Sequence, residues 1–199
     1  MTTSDIGTTT EGRKRLGHVP GEVGAWVFIL GDMLVFAVFF CTYLYYRAQS
    51  TALFDTSQAS LDPRFGVTNM CVLLVSSLCV VLGVKATRQG VAGIAPPAFV
   101  AAFCCGAVFA TLKAIEYYSK VSEGVTPATN EFFMLYFVLT GLHLFHLILG
   151  MAVLLVLIGK SRSAHLAPGN IGFIEGGACF WHMVDLLWII LFPLIYLVK

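Results

Sequence analysis

Charge is what this 199-residue sequence is short of. Aspartate, glutamate, lysine and arginine together make up 12% of it, against 58% hydrophobic residues. A soluble domain carries roughly a quarter charged residues. With half that share and a mean hydropathy of +0.84, the chain has too few to cover a water-facing globule, and lipid is the solvent it fits. The net charge is +1, so there is no basic face to neutralise phosphates and nucleic acid is excluded as a partner.

Other absences narrow the reading further. There is no CxxC pair: Cys41, Cys71, Cys79, Cys104, Cys105 and Cys179 all fall within apolar runs, where cysteine packs as a small apolar residue. The apolar runs do not alternate in the ~10-residue pattern of a membrane barrel. No internal repeat of the inverted-transporter kind is visible. The Thr-rich start has no apolar h-region, so the expectation is a polar cytoplasmic tail over residues 1–22, not a cleaved signal. Histidine is also scarce, five in all, with His18 and His165 outside the apolar runs.

What is present is a set of long apolar segments. A membrane helix needs about 20 mostly apolar residues, and five stretches qualify: Ala25–Tyr46, Val67–Val84, Ile94–Ile115, Phe132–Ile158 and Ala178–Val198. Proline and glycine punctuate the connections, as at Asp62-Pro63, Pro96-Pro97, Pro127 and Pro168-Gly169-Asn170. The expected fold class is all-α, a polytopic bundle of five transmembrane helices occupying residues 23–199. Arg13, Lys14, Arg15, Lys85, Arg88, Lys160 and Arg162 fall on one side of it. Arg47, Arg64, Lys113, Lys120 and Lys199 fall on the other. By the positive-inside rule the N-terminus is cytoplasmic. Tyr43, Tyr45, Tyr46, Tyr117, Tyr118 and Tyr196 then read as an outer aromatic belt, with Trp26 and Trp181 at the cytoplasmic ends.

Ionisable groups inside a span are costly and need a partner or a task. The candidates are Asp32 in the first span, His143 and His146 in the fourth, and His182 with Asp185 in the fifth; Glu116 at the end of the third joins them. Each i, i+3 pair shares a helix face, which is expected to point inward. A haem held between helices needs two histidines at one level. At 1.5 Å per residue His146 lies ~18 Å from its cytoplasmic end and His182 ~6 Å from its own, so no catalytic centre and no metal site is expected. Asp32 and Asp185, each ~10 Å deep, could handle protons. The alternative is that the buried polar groups hydrogen-bond across helices and fix the packing, with Asp32 expected within reach of one of the histidines.

Four segments resemble one family. Phe180–Tyr196 (FWHMVDLLWIILFPLIY) looks like the closing helix of subunit III of the haem-copper oxidases. Thr140–Gly150 (TGLHLFHLILG) resembles its TG-x-H-x-x-H-x-x-x-G helix. Phe109–Lys120 (FATLKAIEYYSK) is similar to the helix closing on EY, and Trp26–Phe40 (WVFILGDMLVFAVFF) to the segment with a buried acid. The resemblance implies a five-helix form lacking the first two of the long form's seven helices. It implies a non-catalytic, multi-pass subunit of a bacterial plasma membrane that carries no haem or copper itself. Such a subunit packs against catalytic subunit I, which holds those cofactors, binds phospholipid, and supports assembly, stability and proton uptake. Gly31-Asp32 stands where oxidase members usually have serine and glutamate, similar to a branch associated with nitric oxide reductases, which is the alternative. A small transporter with the Asp and His groups lining its path is the competing class.

Overall fold

The computed structural model describes residues 23–91, 93–162 and 168–198, and every regular element among them is a helix. They are α1 (Val23–Gln49), α2 (Thr51–Ala59), α3 (Pro63–Arg88), α4 (Ala95–Ser122), α5 (Glu131–Ser161) and α6 (Pro168–Tyr196). Five are long and apolar enough to cross a membrane, matching the five expected spans. The tail expected over residues 1–22 lies outside the described residues.

Helices α3, α4, α5 and α6 form a ring in which each packs on two neighbours, while α1 lies outside against α5 and α6. The most buried span is α6 and the least buried is α1. We call the end holding Lys85, Arg88 and Lys160 the basic end; α2 and Lys120 mark the opposite one.

Local chemistry sets the helix ends. Asp62 caps α3 by accepting from the Arg64 N–H at 2.9 Å, with Pro63 in the first turn, where its missing N–H costs nothing. Asn130 caps α5 through the Phe133 N–H and donates to Ser57 of α2 at 3.0 Å. Gly90 and Gly124, at φ of 70° and 81°, turn the chain out of α3 and α4 in the left-handed conformation that favours glycine.

Two sequence expectations are corrected here. The fifth span starts at Pro168, ten residues before the expected Ala178. Gly169, Asn170, Gly172 and Glu175 lower the hydropathy of that stretch, although proline is well tolerated at a first helical position. The nine-residue α2 was not expected at all, because Phe54 is its one fully buried apolar anchor, against Tyr43 and Phe132.

The core is built around Trp181. Its ring sits where a Cβ at Gly106 would come within 2.9 Å and one at Gly150 within 2.8 Å. The bare backbones of α4 and α5 thus let the indole pack between them, as small residues do at membrane helix interfaces. Trp181 is therefore a core residue and not an interfacial marker. Tyr43 and Tyr196 are likewise buried, leaving Tyr45 and Tyr118 as the most exposed tyrosines of the expected belt.

Candidate functional site

The ionisable groups gather in three places. The first joins α1 to α5. His146 Nε2 lies 3.0 Å from Asp32 Oδ1, and Nδ1 lies 2.7 Å from the carbonyl of Leu142. A carbonyl only accepts, so Nδ1 carries a hydrogen. A carboxylate facing an unprotonated Nε2 at this distance would set two lone pairs against each other, so one proton lies between the two groups. The pair is then neutral overall, as imidazolium-carboxylate or as imidazole-carboxylic acid, which suits its depth in lipid. The edge of Phe36 shields it, with ring centroids 5.3 Å apart.

The second cluster lies between α3 and α6 towards the basic end. His182 Nδ1 is 2.7 Å from Ser77 Oγ. Asp185, one turn on, is 4.0 Å from the same nitrogen, beyond hydrogen-bond reach, and neither of its buried carboxylate oxygens has a partner among the described residues. Nearer the end, Arg88 directs Nε and Nη2 at Glu175 Oε1, each at 2.8 Å, and so ties α3 to the buried acid of α6.

The third cluster ties α4, α5 and α6 in the opposite half. Lys113, 0% exposed, donates to Glu116 Oε2 at 3.0 Å, Tyr136 Oη at 3.0 Å and Tyr196 Oη at 3.1 Å. Both tyrosines in turn donate to Glu116 Oε1, at 2.8 and 2.5 Å. All three ammonium hydrogens and both carboxylate oxygens are used, as a buried ion pair requires. Lys113 also faces the rings of Tyr117, Tyr136 and Trp188. Lys113 therefore does not belong among the far-side charges. Seven basic residues then stand against four, and the expected orientation is unchanged.

The i, i+3 spacing of the histidines brings less together than expected. His146 turns to α1. His143, fully buried, lies against Phe109 of α4 and Trp188 of α6. His182 turns to α3. Counted from the observed helix ends, His146 and His182 lie ~22 and ~21 Å in, level with each other and not ~12 Å apart as expected. Direction separates these side chains, not level. Among the described residues no group of three or more His, Cys, Asp or Glu converges as a metal site would require. Reasoning from sequence passed over Lys113, Tyr136, Tyr196, Ser77 and Glu175. The usable signal was the Lys113-x-x-Glu116 spacing inside an apolar run.

At the opposite end Lys120 donates to Glu123 at 2.7 Å and to the carbonyl of Ser60 at 2.9 Å. The Lys120 ammonium holds the Glu123 carboxyl below the usual carboxylate range.

The Asp32–His146 and Lys113–Glu116 units tie the helices together, and the three described histidines turn towards different helices. The family model described as cytochrome c oxidase subunit III matches residues 8–199. The chain belongs to the cytochrome c oxidase subunit III family. Similar proteins include a probable cytochrome c oxidase subunit 3 of Nocardia farcinica, 28% identical over 89% of this chain and 88% of that one. A cytochrome bo(3) ubiquinol oxidase subunit 3 of Pseudomonas aeruginosa is 28% identical over 87% and 83%. A cytochrome c oxidase subunit 3 of Synechocystis is 29% identical over 87% and 74%. These relatives are bacterial oxidase subunits, which disfavours the nitric oxide reductase alternative. With its five apolar helices, the protein is a multi-pass protein of a bacterial plasma membrane.

Proposed function

We propose that this chain is the non-catalytic third subunit of a respiratory haem-copper oxidase. In this reading it packs against catalytic subunit I, which holds the haem and copper, and supports the assembly, stability and proton uptake of that subunit. The observation that carries it is the family match across nearly the whole chain, joined to the Asp32–His146 and Lys113–Glu116–Tyr136–Tyr196 bonds that tie its helices together. Because the relatives include subunits named for cytochrome c and for ubiquinol oxidases, the assignment is to the oxidase class, whichever the electron donor.

We also propose that it holds phospholipid. An apolar cavity of about 500 Å³ lies between α1, α5 and α6, walled by Phe28, Leu149, Val153 and Phe180. Lys160 stands over the Phe173 ring at its basic end, 4.8 Å from the centroid. An acyl chain fills such a cavity. The test is purification of the tagged chain from its native membrane. A haem-bearing catalytic subunit in stoichiometric amount, with phospholipid retained, is expected. A chain that is monodisperse and stable alone would point instead to a transporter.

A further inference from the structure

We propose that the ring of α3, α4, α5 and α6 binds a small cluster of water inside it, reached from the basic end and closed towards the opposite one. Four residues on three of these helices carry the inference. Among the described residues, no partner exists for Asn69 Nδ2 and Oδ1, His143 Nδ1 and Nε2, Trp188 Nε1, or either carboxylate oxygen of Asp185. All four side chains are enclosed: Asn69 and His143 are 0% exposed, Trp188 1% and Asp185 4%.

Helix pairing brings them to one place. α3 and α6 run antiparallel, with Ser77 meeting His182 and Gly66 meeting Phe192. Asn69 lies one turn from Gly66 on the same buried stripe of α3, which sets it level with Trp188 to within about one turn. The His143 and Trp188 rings are 5.1 Å apart, and Asp185 shares a helix face with Trp188 one turn away. Phe109 of α4 walls the group, its ring 5.5 Å from that of His143 and 4.9 Å from that of Trp188.

The unmet groups are of both kinds. The N–H groups of Trp188 and Asn69 donate, whereas the Asn69 carbonyl and the Asp185 oxygens accept. A cation is repelled by the donors, an anion by the acceptors, and an apolar guest satisfies neither. Water does both. At about three bonds for each buried water, these seven atoms call for about two or three molecules.

The cluster has one open end. Towards the opposite end, Lys113 Nζ stands 5.4 Å from the Trp188 ring with all three hydrogens committed to Glu116, Tyr136 and Tyr196. Towards the basic end, His182 lies one turn beyond Asp185 and lines a groove between α3 and α6 with Val81, Val84 and Ala178. Water therefore enters past His182 and goes no further than Trp188, hydrating the interior without crossing the membrane.

The test uses the full-length chain in the complex with which it purifies, mixed with oxygen-18 water and exposed to brief X-ray pulses. Radiolysis turns bound water into hydroxyl radicals that add oxygen to the side chains they touch, and peptide mass spectrometry reads both yield and isotope. Corrected for intrinsic reactivity, Trp188 and His143 are expected to be oxidised severalfold more than Phe99 and Phe132, which are equally buried. Asn69→Leu removes two of the atoms that hold the water and is expected to lower the Trp188 yield. Val84→Trp fills the groove beside His182 and is expected to slow the entry of oxygen-18 at Trp188. Oxidation of Trp188 and His143 no greater than that of Phe99 would mark a dry interior and overturn the proposal, and this comparison needs no variant to fold. An unchanged yield in Asn69→Leu, or unaltered isotope entry in Val84→Trp, would overturn it as well.

Discussion

Lys113 Nζ and Glu116 Oε2 lie 3.0 Å apart, one turn along α4, fully enclosed by three spans of the bundle. The desolvation of both ions is offset because every hydrogen and oxygen of the pair finds a partner, two of them the phenols of Tyr136 and Tyr196. Removing one ion strands the other.

Lys113→Met is accordingly expected to cost about 3–5 kcal/mol, and Glu116→Leu a similar amount. The double replacement, which strands no charge, is expected to cost less than either single one. Thermal unfolding of the four proteins in detergent checks this. Additive losses would show that the two residues act independently.

Asp32 is a polar link between the outlying α1 and the ring. Asp32→Asn keeps a hydrogen-bonding group opposite His146 and is expected to assemble normally. Asp32→Leu leaves Nε2 unsatisfied and is expected to cost about 1–3 kcal/mol. The yield of assembled protein is the readout, and equal yields from the two variants would contradict the pairing.

Gly150→Ala places a methyl group within 2.8 Å of the Trp181 ring. The indole is walled in on its other side by Gly106, so it has little room to move. The expected loss is about 1–3 kcal/mol, partly recovered by Trp181→Phe in the same chain. A neutral Gly150→Ala in thermal unfolding would show that the three helices can part.

Glu123 provides a pH test outside the membrane. Its folded-state carboxyl lies below the ordinary 4.5 because Lys120 donates to it. A depressed carboxylate contributes stability that is present above its unfolded value and is lost as pH falls through the folded one. Lys120→Gln is therefore expected to bring the Glu123 titration, followed by carbon-13 NMR, back up towards 4.5, and to remove this small contribution at neutral pH.

Much of this was legible in the sequence. Five apolar runs of membrane length can only be helices, and the buried acid of the first and the histidines of the fourth had to face inward. Most of the misreadings have one physical source. Hydropathy locates the apolar middle of a helix and not its ends. With the third span ended at Ile115, Lys113 looked interfacial; with α4 continuing to Ser122 it lies ~14 Å inside. With the fifth span begun at Ala178, His182 looked shallow; from Pro168 it is deep. Trp181 was read as a belt residue for the same reason, whereas Tyr196, the last residue of α6, is buried through its bonds to Lys113 and Glu116. The hydrogen bonds of Ser77 and Tyr136 depend on how α3 rotates against α6 and α5 against α4, and rotation leaves no mark in composition.

The central claim is that the chain works as a partner of a haem-bearing subunit and not alone. The direct measurement is a reduced-minus-oxidised spectrum of the affinity-tagged chain, taken before and after dissociation from whatever purifies with it. The account predicts oxidase haem bands in the intact preparation, all of which leave with the partner subunit, so that the separated chain is colourless. A b-type band staying with the separated chain, or no haem protein in the intact preparation, would contradict it.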